Sequence, residues 1–170
     1  MPSALRAPSV PNGLAELADE FRRLDRQRRA GTISVENTER YRALFERLSD
    51  VLASGKHHRR VDARQFLRVP VALMLALRRG DERLEVPCQD FGGGGCAIVP
   101  DEPFADGDEL RLDGARLDGE QHPLSGRALV VWARLDKRIT YGLRFVCERA
   151  EERVQVDLLF YRVLDRFLRF

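Results

Sequence analysis

Residues 64–98 read RQFLRVPVALMLALRRGDERLEVPCQDFGGGGCAI and hold the two features that decide the fold. Arg64 and Arg68 stand four positions apart, directly before residues 69–77, an apolar run that is typical of a strand. About twenty residues later, Asp90 begins the run DFGGGG, which leads into a second apolar strand. An arginine-bearing segment and a glycine turn are thus tethered to one sheet, and together they predict an anion clamp.

Further strands follow this stretch, separated by Gly, Asp and Pro turns at short intervals. That spacing favours an all-β barrel or sandwich over alternating strand–helix units. About six strands are predicted, at residues 69–77, 84–88, 96–99, 109–112, 124–135 and 139–146.

Helical periodicity flanks the strands on both sides. Two amphipathic stripes predict a helical hairpin, in which Gly31 ends the first helix and Ser34 caps the second. The C-terminal segment has two apolar faces: Val156, Leu159, Phe160, Val163 and Phe167 on one, and Val154, Leu158, Tyr161 and Leu168 on the other. The sequence therefore divides into a disordered lead-in at 1–12, the hairpin at 13–55, the barrel at 56–149 and the C-terminal helix at 150–170.

Composition limits the classes of protein that the chain can represent. Its 170 residues carry a net charge of +2 although 33% are charged, which does not indicate a polycation for nucleic acid. We see neither a signal peptide nor an apolar run of roughly 18 to 20 residues, so we expect a cytoplasmic protein without a membrane span. The cysteines, Cys88, Cys96 and Cys147, are odd in number and lack CxxC spacing, and we interpret them as small apolar core residues.

The order and spacing of these motifs resemble the PilZ domain, the bacterial receptor module for cyclic di-GMP, over roughly residues 60–165. The family carries RxxxR before its first barrel strand, which is intact here, and [D/N]xSxxG after its second, where this chain has Gly92 in place of serine. The VVW run at 130–132 and the YGLRFV run at 141–146 are also similar to the family. The resemblance implies a mainly β fold with helical additions (α+β), built on a six-stranded antiparallel barrel.

The resemblance also implies roles for individual residues. Arg64 and Arg68 would grip phosphates and stack on guanine, and Asp90 would accept hydrogen bonds from the guanine N1 and N2 edge. The glycines would permit positive φ and keep Cβ atoms away from the ligand. The loss of the serine hydroxyl, and with it one hydrogen bond, would weaken the binding free energy by about 0.5 to 1.5 kcal/mol. The predicted cyclic di-GMP site comprises Arg64, Arg68, Asp90, Gly92 and Gly95, with Arg60, Gly94 and Trp132 as additional candidates.

Other chemistries fit the sequence poorly. The glycine run lacks the Lys-Ser/Thr pair and the helix of a P-loop, and the histidines lack metal-ligand spacing. We find no nucleophile elbow, hydrolase triad or acid pair. We therefore predict a protein that is not an enzyme, with no catalytic residues, no metal and no cofactor besides the ligand.

Two functional hypotheses remain open. In the first, the chain is a cyclic di-GMP receptor that relays the second-messenger level to a protein partner through a ligand-induced rearrangement. In the second, it is a degenerate PilZ domain that binds no ligand and serves as an interaction or assembly scaffold in motility or envelope processes. Either way we expect a homo-oligomer, a dimer or higher, through the helices, and an unidentified protein partner. Nucleic-acid binding is disfavoured because no row of exposed aromatic residues is evident.

Overall fold

The computed structural model describes residues 10–53, 66–135 and 137–169. The chain divides into two compact units. The helical unit contains α1 (Val10–Arg29), α2 (Val35–Ala53) and the end of α3 (Ala150–Arg169), from Leu164 onward. The barrel unit, Ala63–Val163, contains all seven strands and the first part of α3. Within these described ranges, no helix is both long enough and apolar enough to cross a bilayer.

The C-terminal end of α1 and the N-terminal end of α2 form where the sequence predicts them. Gly31 adopts a φ of 70°, and the N–H of Thr32 donates to the carbonyl of Gln27 at 2.9 Å, which closes α1 with a Schellman motif. Ser34 Oγ accepts a 3.2 Å hydrogen bond from the N–H of Asn37 and caps α2. Helix α1 begins at Val10, within the predicted lead-in, of which residues 1–9 lie outside the described chain.

Apolar stripes hold the helical unit together. The rings of Phe21 and Tyr41 stack with centroids 5.4 Å apart, and Arg22 on α1 pairs with Asp165 on α3 at 2.6 Å. Most of the two predicted stripes is buried within the single chain: Ala18, Phe21 and Leu24 on α1, and Tyr41, Leu44, Leu48 and Leu52 on α2.

A carboxylate lies inside this unit. Asp25 is only 1% exposed, and its Oδ1 accepts a 3.1 Å hydrogen bond from the hydroxyl of Tyr41. Arg29 Nε lies 2.9 Å from Oδ2, and Arg28 Nη2 lies 3.4 Å from Oδ1. Burial, together with the Asp25 charge, raises the pKa of the Tyr41 phenol. Asp25 is thus compensated from both α1 and α2.

The barrel unit is a closed, six-stranded antiparallel barrel, which confirms the predicted fold class. Its strands follow the order β1-β2-β3-β7-β6-β4, and β1 pairs with β4 to close the ring, while β5 pairs with β4 alone. The strands are β1 Arg68–Arg79, β2 Glu82–Gly92, β3 Gly95–Ile98, β4 Glu109–Leu117, β5 Glu120–His122, β6 Arg127–Leu135 and β7 Ile139–Val146.

The β4–β5 hairpin is an addition to the predicted strands. Asp118 and Gly119 both have positive φ, 54° and 79°, as in the two-residue turns that suit the twist of a hairpin. Short β5 and the second half of β4 lack a regular apolar alternation. For that reason the pattern predicts a loop where the structure has paired strands.

Irregular pairing shifts the alternation of two strands. In β2, Cys88 and Phe91 are both buried although they lie three positions apart, and the register shifts between Cys88 and Asp90. In β6, Val130 is 2% exposed and Trp132 is 41% exposed although they lie two positions apart, with a register shift between them. These bulges turn Asp90 and Trp132 away from the interior.

The barrel interior is filled by apolar side chains. Cys88 and Cys96 are buried free thiols and Cys147 is half-buried, as expected of small core residues. Burial, with the Cys96 thiol beside it, raises the pKa of the Cys88 thiol. The almost fully buried side chains of the strands are Val69, Leu75, Leu77, Phe91, Cys96, Ile98, Leu110, Ala128, Val130 and Leu143.

Helix α3 buries one predicted face and part of the other. Val156, Leu159, Phe160 and Val163 are buried, as the periodicity predicts. Of the second face, Tyr161 and Leu168 are buried, whereas Val154 and Leu158 are each 53% exposed. The apolar surface that α3 leaves open is therefore narrower than the sequence indicates.

Candidate ligand site on the barrel

Five neighbouring strands bring the predicted residues onto one face of the barrel. The register pairs Pro70 with Asp90, Asp90 with Ala97, Ala97 with Gly142, and Gly142 with Trp132. Directly paired residues point to the same face of a sheet. Asp90 and Trp132 thus stand on one face, three strand spacings or about 14 Å apart, with only Ala97 and Gly142 between them.

Arg68 and Asp90 form the polar end of this row. Arg68 Nη1 donates to Asp90 Oδ1 at 2.7 Å, and the backbone N–H of Ala97 donates to the same oxygen at 3.0 Å. Both side chains are partly open, at 23% and 31% exposure. Asp90 Oδ2 accepts no hydrogen bond from any described residue, and Arg68 keeps further N–H donors. The pair is fixed in place while it retains capacity for a ligand.

The glycine turn is required for close packing, not for backbone handedness. A Cβ atom at Gly92 would lie 2.5 Å from the carbonyl oxygen of Leu67 and 2.9 Å from Arg68 Cδ. At Gly95, it would lie 1.9 Å from the carbonyl oxygen of Leu143. The expected positive φ is wrong for Gly92, Gly94 and Gly95, none of which adopts it. Gly92 is the last residue of β2, and its bare backbone lets Arg68 lie across the strand towards Asp90.

The segment before β1 rests on the same turn. A Cβ atom at Gly94 would lie 2.7 Å from Cδ2 of Phe66, so the ring lies against the glycine backbone. On α3, Arg153 places its guanidinium carbon 5.6 Å from the centre of that ring and donates a hydrogen bond to the carbonyl of Gly93. Arg153 was not predicted from the sequence, because helix periodicity alone does not link α3 to a turn sixty positions away.

Trp132 forms the aromatic end of the row. A Cβ atom at Gly142 would lie 2.0 Å from the Trp132 ring, so the indole lies flat on the backbone of β7. Arg134 lies over the indole, with its guanidinium carbon 6.0 Å from the ring centre. The ring is 41% exposed and offers an aromatic surface beside the small residues of the row.

Arg144 is a second residue of this region that was not predicted from the sequence. It pairs with Gly95 on β3 and with Leu129 on β6, its side chain is exposed, and it has no ion-pair partner among the described residues. The signal that could have found it is the alternation of β7. Arg144 lies two positions after Gly142 and therefore on the face that carries Trp132.

Some predicted features cannot be placed. Arg60 and Arg64 lie outside the described residues, so only Arg68 of the RxxxR pair is seen in contact with Asp90. Of the other candidates, Asp90, Gly92, Gly94, Gly95 and Trp132 are all brought to this part of the barrel. In the described part of the chain, no group of three or more His, Cys, Asp or Glu side chains is arranged to hold a metal ion.

Comparison with known proteins identifies the strand region as a recognised module. The profile of the PilZ domain family matches residues 62–162, more than half of the chain. No curated protein matches the chain at a significant level.

Solved structures share the fold. The inhibitor of motility from Bacillus subtilis, MotI/DgrA, is similar with a TM-score of 0.52 and 21% identity over 64% of this chain and 53% of that one. The K. pneumonia MrkH–c-di-GMP complex has a TM-score of 0.50 and 13% identity, over 62% and 55%. The PilZ domain of Escherichia coli YcgR with c-di-GMP has a TM-score of 0.49 and 12% identity, over 62% and 93%. The match spans just over half the length of MotI and of MrkH.

Proposed function

The chain belongs to the PilZ domain family, and on that premise we propose that it is a receptor for cyclic di-GMP that relays ligand occupancy to a protein partner. The observation that carries the proposal is the Arg68–Asp90 pair, which is held in place at 2.7 Å, while no described residue bonds to Asp90 Oδ2 or to several of the Arg68 donors. A guanine edge presents two donors that suit a carboxylate, and a phosphate accepts from a guanidinium fork.

The rest of the face fits the remaining chemistry of a cyclic dinucleotide. The residues between Asp90 and Trp132, Ala97 and Gly142, carry no large side chain, and the half-exposed indole offers a surface on which a base can stack. Arg144 stands on the same face, where it can bind a phosphate. We propose that Arg64, and with it Arg60, completes the site from the segment before β1.

The direct test is isothermal titration with cyclic di-GMP. Arg68→Ala removes charge-assisted hydrogen bonds and should weaken binding at least a hundredfold, since such bonds contribute about 1.5 to 3 kcal/mol each. Arg78→Ala is the matched control, because Arg78 lies on the same strand and forms its own pair with Asp113 at 3.1 Å. Equal affinities of the wild type and Arg68→Ala would refute the proposal, as would a wild type that does not bind.

A second candidate function rests on Gly92. The family serine is absent, and a Cβ at this position would collide with the Leu67 backbone at 2.5 Å, so the segment before β1 occupies the space a serine side chain needs. A barrel that has lost its ligand would serve as an interaction scaffold in motility or envelope processes. A wild type that fails to bind cyclic di-GMP, beside a Gly92→Ser variant that binds, would favour this function.

Assembly through the helices stays a prediction. The apolar stripes of α1 and α2 that motivate it are already largely buried within one chain, whereas Val154 and Leu158 on α3 remain exposed. If the chain is an oligomer, we therefore propose that α3 contributes to the contact. Light scattering on the wild type and on a Val154→Asp/Leu158→Asp variant tests this, and a wild-type monomer would refute the oligomer.

A further inference from the structure

One side chain in the first turn of α3 touches two parts of the candidate site at once. Arg153 Nη2 donates a hydrogen bond to the carbonyl oxygen of Gly93, in the glycine turn. Its guanidinium carbon lies 5.6 Å from the centre of the Phe66 ring, in the segment that leads into Arg68. A planar cation that bonds through its edge and stacks through its face can hold two segments together.

Arg153 is itself held in a fixed position. Asp157, one turn further along α3, accepts a 3.0 Å hydrogen bond from Arg153 Nε and lies 2.8 Å from Nη2. The start of the helix is fixed by Glu152, whose carboxylate accepts from the N–H of Glu148 at 3.1 Å and from Arg149 Nε at 2.9 Å. The Arg149 hydrogen bond holds the pKa of the Glu152 carboxyl below its usual value. Hydrogen bonds therefore restrain both the Arg153 guanidinium and the start of the helix that carries it.

Phe66 also contacts the glycine turn directly. The ring lies against Gly94, where a Cβ would be 2.7 Å from the ring, and the N–H of Phe145 fixes that turn by donating to the Gly94 carbonyl at 2.9 Å. Phe66 precedes Arg68 by two residues. A ring that contacts both the turn and Arg153 consequently restricts the backbone position of Arg68.

We propose that Arg153 is a positioning residue of the ligand site: it docks the Phe66 segment on the glycine turn and so directs Arg68 towards Asp90 before the ligand arrives. The inference rests on the proposed cyclic di-GMP site. A site that is ordered in advance avoids the entropic cost of ordering it at binding. Because coupling is reciprocal, a ligand that requires the docked segment also stabilises the start of α3.

The experiment has two arms on the full chain. Hydrogen exchange of the ligand-free protein, followed by mass spectrometry, compares the wild type with Arg153→Ala, Arg153→Lys and the control Arg162→Ala, which removes an exposed arginine from the same helix. Titration with cyclic di-GMP then compares Arg153→Ala, Phe66→Ala and the double variant. We expect faster exchange at residues 66–68 and 92–95 in Arg153→Ala, partial recovery in Arg153→Lys, and no change in Arg162→Ala.

In the titration, Arg153→Ala should weaken binding about tenfold, and the double variant should bind no more weakly than Phe66→Ala. Additive losses, or a lost affinity with unchanged exchange at residues 66–68, would overturn the proposal, because Arg153 would then act without positioning Phe66. If the wild type binds no cyclic di-GMP, the proposed function fails by itself. The exchange arm then decides whether Arg153 holds the segment, and unchanged exchange overturns it.

Discussion

Asp25 in the helical unit and Asp90 on the barrel are both aspartates beside arginine, yet their surroundings differ. Asp25 has a side chain that is 2% exposed, and Tyr41 and two arginines engage its two oxygens. Asp90 has a side chain that is 31% exposed, and its hydrogen bonds from Arg68 and from the Ala97 backbone end on one oxygen.

The difference distinguishes a structural carboxylate from a candidate binding one. A buried carboxylate must have its charge compensated within the fold, so Asp25 has nothing left to offer a ligand. A half-exposed carboxylate with an open oxygen gains little stability from its pair and retains acceptor capacity. We therefore expect Asp25 to govern stability and Asp90 to govern binding.

The largest effect should follow from Asp25→Ala. Removing a buried carboxylate leaves its arginine and tyrosine partners uncompensated, so we expect a loss of about 3 kcal/mol in the free energy of unfolding. Chemical denaturation followed by circular dichroism measures it, and titration should show unchanged affinity for cyclic di-GMP. A loss below about 0.5 kcal/mol, which is typical of substitutions at exposed positions, would contradict a structural role for Asp25.

Asp90→Ala is the converse substitution. It should weaken cyclic di-GMP binding about thirtyfold, or roughly 2 kcal/mol, because a charged acceptor for the base is removed. The free energy of unfolding should fall by less than about 1 kcal/mol, since the pair is partly exposed. Asp113→Ala, which breaks the Arg78 pair, is the matched control and should leave the affinity unchanged. Normal binding by Asp90→Ala would remove Asp90 from the site.

Gly92 controls the path that the Arg68 side chain takes to Asp90. Gly92→Ala and Gly92→Ser both add a Cβ beside the Leu67 carbonyl, so each should lower the unfolding free energy by about 1.5 kcal/mol. The serine hydroxyl should give Gly92→Ser a three- to tenfold higher affinity for cyclic di-GMP than Gly92→Ala. Thermal unfolding and titration measure the two quantities. Equal affinities of the two variants would show that the ligand forms no hydrogen bond with a hydroxyl group at position 92.

Tyr41→Phe should have the smallest effect, about 1 kcal/mol of stability from the lost hydrogen bond to Asp25. The folded state raises the Tyr41 pKa, so its contribution is complete below the unfolded value of about 10 and declines as the pH rises above it. Denaturation from pH 8 to 11 should therefore show a steeper loss of stability in the wild type than in Tyr41→Phe. Parallel curves would contradict this account of Tyr41.

Local chemistry in the sequence was sufficient for most of the fold. Gly31 and Ser34 end and begin helices because φ preference and side-chain capping are properties of single residues. The strand core followed from apolar runs. The β4–β5 hairpin was not predicted, because its sequence contains a turn, Asp118 and Gly119, but lacks the apolar alternation typical of strands.

Only part of the candidate site could be predicted from the sequence. Motif spacing pointed to Asp90 and Arg68, which the structure pairs. Simple alternation would place Trp132 with the buried Val130, and only the bulge between them reveals its outward direction. Arg153 depends on a contact sixty positions away in the chain, which no local pattern encodes.

The Trp132 indole, which lies flat on Gly142, is also an intrinsic fluorescent probe. Trp132 is the only tryptophan in the chain, and its half-exposed indole borders the row that leads to Asp90. Its emission therefore comes from one place, without a background from other indoles. A base that stacked on the ring would exclude water from it and change its fluorescence, so unlabelled protein would itself signal when the face is occupied.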